Sequence, residues 1–177
     1  MTDTRTRLLD AAALVLLTTG AEQLTLAAVA AEAGVSKGGL FYHFPTKQAL
    51  VAGMVDRLVG VFDAALTAAG DTPGAATRAY LDSTVPPEGG VAAADGTTAA
   101  LLGGLLVDPA ALGPLRTTYA RWQERLEHDG IDPAAATAVR LAVDGWWLAR
   151  LLDLAPPAPG LHERTRATLV ALIDGPA

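Results

Sequence analysis

Between residues 24 and 50 the chain reads LTLAAVAAEAGVSKGGLFYHFPTKQAL, a stretch that gathers hydroxyls at Thr25 and Ser36, ammonium groups at Lys37 and Lys47, a phenol at Tyr42 and an imidazole at His43. Each can donate a hydrogen bond or positive charge, and as a set they suit phosphate oxygens. Outside this stretch the reactive residue types are scattered. His43, His128 and His162 lie far apart in sequence, and no His-Glu-x-x-His zinc motif, Walker loop or dinucleotide fingerprint occurs, so an enzyme is not expected. The chain has no cysteine, which removes disulfides, thiolate metal ligands and cysteine nucleophiles together; no cofactor or metal is expected.

The elements that must hold these groups are short helices. Leu26, Val29, Ala30 and Ala33 recur at helical spacing, Gly34 stands where a left-handed C-cap is needed, and Ser36 is placed to cap a second helix that starts at once. Two helices joined so tightly form a helix-turn-helix. Thr25 caps the first of them, and its hydroxyl, like Ser36 and Lys37 at the start of the second, faces outward with nearby N–H groups as an anion site. Gly38 and Gly39 either let the backbone approach a groove floor closely or simply continue the turn. Leu8, Ala12, Val15 and Leu16 give the preceding helix an inward stripe that can cover the pair.

Strand signals are nearly absent, and the fold class expected is all-α. Nine helices are read, at residues 3–19, 25–33, 36–43, 46–69, 73–83, 97–107, 110–129, 133–154 and 161–173. Thr72-Pro73, Asp108-Pro109 and Asp132-Pro133 read as N-cap followed by N1, while Gly20, Gly34, Gly70 and Gly130 read as stops. The helix from Thr46 carries Leu50, Met54, Leu58, Phe62 and Leu66 and would tie a small head to a larger body. Residues 86–96 read as a mobile loop and residues 156–160 (PPAPG) as a stiff hinge.

The 177 residues are 51% hydrophobic, enough for a core, but contain no uninterrupted apolar run of the roughly 18 residues a membrane span needs. The N-terminus does not resemble an export signal, so a cytoplasmic location with no membrane partner is expected. Net charge is −6, yet it is unevenly placed: residues 1–50 balance Arg5, Arg7, Lys37 and Lys47 against Asp3, Asp10, Glu22 and Glu32, and the deficit lies in the remainder. A neutral head can bind phosphates if its cations share a face, weakly for arbitrary sequences and with marked salt sensitivity.

At GVSKGGLFYHFPTKQAL the chain closely resembles the TetR family of bacterial repressors, with a Gly-Val-Ser-Lys turn, a Leu-aromatic-Tyr-His-Phe recognition helix and a Thr-Lys start to the next helix. The resemblance implies a helix-turn-helix DNA-binding domain over residues 1–46 and a helical effector-binding and dimerisation domain over 47–177. It implies a homodimer on a palindromic operator of double-stranded DNA, released when a small effector binds the body, with repression as the expected outcome. It also implies phosphate contacts at Tyr42, His43 and Lys47. Leu40 could touch a thymine methyl, whereas Phe44 is expected in the core. Phe41 stands where many relatives have tyrosine, and the recognition helix lacks Arg, Asn and Gln, so specificity would depend on Lys37, apolar contacts and DNA shape.

In the body, the helix at 133–154 is apolar along two lines: Val139, Val143, Trp147, Leu151 and Leu154, and Leu141, Gly145, Leu148 and Leu152. One core cannot cover both. With the following helix (Leu161, Thr165, Leu169, Leu172, Ile173) it is expected to meet its copy in a four-helix bundle, the interface drawing on the first line together with Trp146, Arg150, Leu161, Thr165, Leu169 and Leu172. Arg140, Asp144, Arg150 and Asp153 could pair across that interface or within the chain. Phe62, Tyr80, Tyr119, Trp122 and Trp147, with Arg121 as a polar anchor, are the candidate ligand residues, and imply a hydrophobic or aromatic effector. A second reading keeps the same fold as an all-α small-molecule or protein-binding module with a vestigial helix-turn-helix.

Overall fold

A computed structural model describes residues 3–85, 112–151 and 154–175. The expected helix at 97–107, the loop at 86–96 and the Asp108-Pro109 cap lie outside the described residues. Within them the protein is all-α, with eight helices: α1 Thr4–Thr19, α2 Leu26–Glu32, α3 Lys37–His43, α4 Lys47–Ala68, α5 Ala75–Thr84, α6 Leu112–Glu127, α7 Pro133–Leu151 and α8 Pro159–Asp174. They form two compact units, and the chain crosses between them inside α4, between Leu58 and Val59, and inside α6, between Arg116 and Thr117.

In the first unit α1 packs on α2, and α2 on α3. Leu8, Ala12, Val15 and Leu16, the expected inward stripe, are all buried, and they meet a core containing Leu24, Val29, Ala30, Leu40, Phe44, Leu50 and Met54. At seven residues each, α2 and α3 are too short to be stable alone, so their ends must be fixed by caps and tertiary contacts.

In the second unit α5 packs on α7 and α8, and α7 packs on α8. Asp132 caps α7 as its Asp-Pro pair predicts, its side chain accepting from Ala134 N at 3.0 Å. Thr72-Pro73 behaves differently. The N-cap of α5 is Gly74, and the orphan donors are satisfied by a residue remote in sequence: Asp129 accepts from Ala76 N (3.0 Å), Thr77 N (2.7 Å) and Thr77 Oγ1 (2.7 Å). Gly74 takes φ +78°, and a methyl group there would lie 2.7 Å from Ile173 Cγ2, so both backbone and space require glycine. The PPAPG segment is not wholly a hinge, since α8 already begins at Pro159, where proline's missing N–H costs nothing.

Candidate functional site

The link from α2 to α3 is closed by a pair of backbone bonds. Gly34, at φ +63°, donates to Ala31 O at 3.1 Å, and Val35 N reaches back to Ala30 O at 3.0 Å. These are the two bonds of a Schellman turn, which satisfies the last carbonyls of α2 and turns the chain sharply into α3. Both helices are capped at their N-termini as their sequence predicts, Thr25 Oγ1 accepting from Ala28 N and Ser36 Oγ from Gly39 N, each at 3.1 Å. Thr46 does the same for α4, accepting from Ala49 N at 3.0 Å.

The residues singled out in the sequence divide by exposure. Thr25, Ser36, Lys37, Gly38, Phe41, Tyr42 and Lys47 are exposed, and Gly39 and His43 are half-buried. Tyr42 is 85% exposed and Phe41 51%, a large apolar surface for so short a helix. Tyr42 stands edge-on to His43, with ring centroids 5.1 Å apart. Leu40 corrects the expectation of a thymine contact: it is 1% exposed and points into the core of the first unit, so its side chain cannot reach a base. Phe44 is buried as expected. The two glycines also differ. A methyl at Gly39 would lie 3.4 Å from Ser36 Oγ, an ordinary van der Waals contact, whereas one at Gly38 would meet none of the described residues within 4 Å. Neither has positive φ. Nothing among the described residues therefore requires position 38 to be bare.

Residues 34–38 also spell Gly-x-Ser-x-Gly, the string of a hydrolase nucleophile elbow. The structural setting is wrong for that chemistry. An elbow follows a strand and presents its serine as a nucleophile, whereas Ser36 follows a helix and its Oγ caps the next one.

In the second unit the structure brings together four of the six ligand candidates. Phe62 lies 5.8 Å from Tyr80 and 5.3 Å from Trp122, Tyr80 lies 5.9 Å from Trp122, and Tyr119 lies 5.0 Å from Trp122, all between ring centroids. Arg121 is mainly exposed and holds Asp63 through two contacts at 2.8 and 2.7 Å, while the Trp122 indole donates to the same carboxylate at 2.6 Å. Asp63, Leu66, Thr67, Arg121, Trp122 and Arg125 line a cleft of about 360 Å³, within the usual range for a small-molecule site. Trp147 belongs to no described ring cluster. Its indole nitrogen, like that of Trp146, is buried without an acceptor among the described residues.

Beneath the aromatic group lies a polar network that sequence reasoning did not assemble. Tyr80 Oη donates to Asp144 Oδ1 at 2.6 Å, Arg140 donates to Asp144 Oδ2 at 2.8 Å and to Gln123 Oε1 at 2.5 Å, and Gln123 donates to Thr137 at 2.8 Å. Arg140 and Asp144 thus pair within the chain. Burial raises the Asp144 carboxyl above the usual aspartate range against the opposing pull of Tyr80 and Arg140. Burial, and then the nearby Asp144 charge, pushes the Tyr119 phenol up to about 12, and Tyr80 is displaced in the same direction by burial and by both neighbours. Asp63 and Asp144 carry no local motif; only the packing of separate helices shows that they face aromatic partners.

The expected dimer residues also divide. Val139, Val143, Trp146 and Leu169 are buried within their own unit, a correction to their assignment to a partner surface, because a side chain already covered by its own core offers no area to a second chain. Trp147 and Thr165 are half-buried, and Arg150, Leu154, Leu161 and Leu172 are exposed; the side chain of Leu151 lies outside the described residues. The outward line of α7 is the other one, with Leu141 57% and Leu148 38% exposed beside exposed Gly145.

No curated protein sequence matches the chain. Solved structures do. A TetR-family member from Streptomyces coelicolor A3 is 28% identical over 99% of this chain and 100% of its own, with a TM-score of 0.67. A transcriptional regulator from Rhodococcus sp. Rha1 is 25% identical over 97% and 96%, with a TM-score of 0.72. The multidrug binding protein EbrR, complexed with ethidium, is 28% identical over 99% and 100%, with a TM-score of 0.63. Residues 8–54 match the family model for bacterial regulatory proteins of the tetR family, and residues 74–174 match the tetracyclin repressor-like C-terminal domain. With a capped helix-turn-helix ahead of an all-helical body, and family models matching both parts, the chain belongs to the TetR family of transcriptional regulators.

Proposed function

We propose that this regulator binds a palindromic operator as a homodimer in the cytoplasm, represses transcription, and is released by a small hydrophobic or aromatic effector. The observation that carries the DNA reading is the outer surface of α3. Lys37, Phe41 and Tyr42 project beside Gly38, a position that no described residue requires to be bare. Two large exposed aromatics next to a cation are costly to leave in water but useful against a sugar-phosphate edge, and a bare backbone position admits close approach to a groove. Thr25, Ser36, Gly39, His43 and Lys47 complete the proposed phosphate-facing set. Leu40 takes no part.

Two heads must meet successive major grooves about 34 Å apart, so a ligand that favours another spacing weakens binding; a hundredfold loss corresponds to about 2.7 kcal/mol of coupling. The cleft beside Asp63, to which Trp122 of the aromatic group contributes a wall, is the proposed effector entrance, with Phe62, Tyr80 and Tyr119 packed around Trp122 as the proposed apolar lining of an occupied site and Trp147 left out of it. That EbrR is complexed with ethidium and with malachite green supports an aromatic effector class. Exposed Leu141, Leu148, Leu154, Leu161 and Leu172, with Arg150, are proposed for the dimer surface.

The test is selection from a random duplex pool by the purified chain, followed by titration of the selected duplex. Lys37→Met should weaken binding about tenfold and lower the slope of log affinity against log salt by about one. Failure to retain any duplex at low salt would instead favour the module with a vestigial helix-turn-helix.

A further inference from the structure

We propose that Arg5 and Arg7, half of the cations in residues 1–50, are positioning residues that fix the two ends of α3 and are not phosphate contacts. This rests on the DNA-binding reading above. Arg7 extends from α1 and donates from Nη2 to Ala33 O at 2.7 Å. Ala33 is the C-cap of α2, so its carbonyl is one of the last group that helical bonding leaves without a partner, and a guanidinium there also complements the negative end of the helix. The next two residues are Gly34 and Val35, whose bonds to Ala31 and Ala30 set the angle at which α3 leaves. Arg7 therefore ties α1 to the turn.

Arg5 acts at the far end. Its guanidinium carbon lies 5.5 Å above the Phe44 ring, and Phe44 is the buried C-cap of α3. The Cε1 edge of that ring fills the space left by Gly53 on α4, where a methyl group would lie 2.7 Å from Phe44 Cε1 and 3.4 Å from an Arg5 nitrogen. Arg5, Phe44 and Gly53 thus meet at one point, through which α1 and α4 hold the end of α3. The guanidinium supplies both modes, an N–H that donates to a carbonyl and a positive charge held over a ring. A seven-residue helix has little stability of its own, so its direction is set at these two ends. Lys37 and Lys47 then supply the ionic contacts of each head.

The test uses Arg7→Met and Arg5→Met in the full chain, each retaining an unbranched stem while removing the guanidinium. In DNA-free protein, amide exchange at Gly34 and Val35 should quicken about tenfold in Arg7→Met, and exchange at Phe44 should quicken similarly in Arg5→Met. Affinity for the duplex selected by the wild-type chain should fall about tenfold with its salt slope unchanged, as expected when no phosphate contact is lost. Unchanged exchange at those amides, or a slope lowered by about one, overturns the proposal. If the wild-type chain selects no duplex, the DNA-binding reading fails, while the exchange data still decide whether the arginines hold the helix.

Discussion

In the first unit the polar side chains that shape the structure sit near water at helix ends: Thr25, Ser36 and Thr46 cap, and Arg7 closes a turn from an exposed position. In the second they are carried inward. Asp129 is 4% exposed and satisfies three donors on another element, and Asp144 lies under two phenols and an arginine. The contrast shows two ways of specifying helix positions. Surface caps each contribute modestly and tolerate change, because water replaces a lost partner. Buried networks give one arrangement a large advantage, because any missing member leaves an unsatisfied group.

The largest test of this contrast is Asp129→Ala, which strands two backbone donors of α5 and the Thr77 hydroxyl in a dry environment. A loss of about 3 kcal/mol in chemical denaturation is expected. A loss no greater than that of a surface cap would erase the distinction between the units.

Alkaline titration should give the next effect. The Tyr119 phenol is raised to about 12 in the fold and titrates near 10 when unfolded, so its contribution is fully present below about pH 10 and is lost as pH rises towards 12. Tyr80, raised further, adds to the same loss. Asp144 has the same sign at the acid end: its raised pKa favours the fold most fully below the ordinary aspartate range, and that contribution is lost as pH rises through the elevated value. Circular dichroism during base titration should show wild-type destabilisation in this window, and Tyr119→Phe should weaken the dependence. An identical alkaline profile for the variant would remove Tyr119 from the account.

The smallest expected effect lies in the first unit. Ser36→Ala should cost about 1 kcal/mol, the ordinary value of an N-cap, and Ser36→Asp should recover most of it. Thermal unfolding of the three proteins measures this directly, and a cost several times greater would mean that the head is as unforgiving as the body.

The same contrast governs how far the amino-acid sequence could be read. Thr25, Gly34, Ser36 and Asp132 act on residues within a few positions of themselves, so residue type and spacing were sufficient to locate the helix-turn-helix and the start of α7. Thr72-Pro73 misled because the group that caps α5 arrives from Asp129. Leu40 misled for a related reason: which side of a short recognition helix faces inward depends on the helices packed behind it. The two apolar lines of α7 were visible, but periodicity cannot say which line meets the chain's own core, and Val139 and Val143 proved to belong there. Of the candidate ligand residues, the aromatic ones could be listed, whereas their carboxylate partners Asp63 and Asp144 became recognisable only when separate helices brought them together.

The Asp129 cap also bears on the order of events during folding. The first turn of α5 is completed by a carboxylate 53 residues further along the chain, so it cannot be finished during synthesis until that later segment has emerged and closed a long loop. The Thr25, Ser36 and Thr46 caps of the first unit, each closed over three residues, need no such wait.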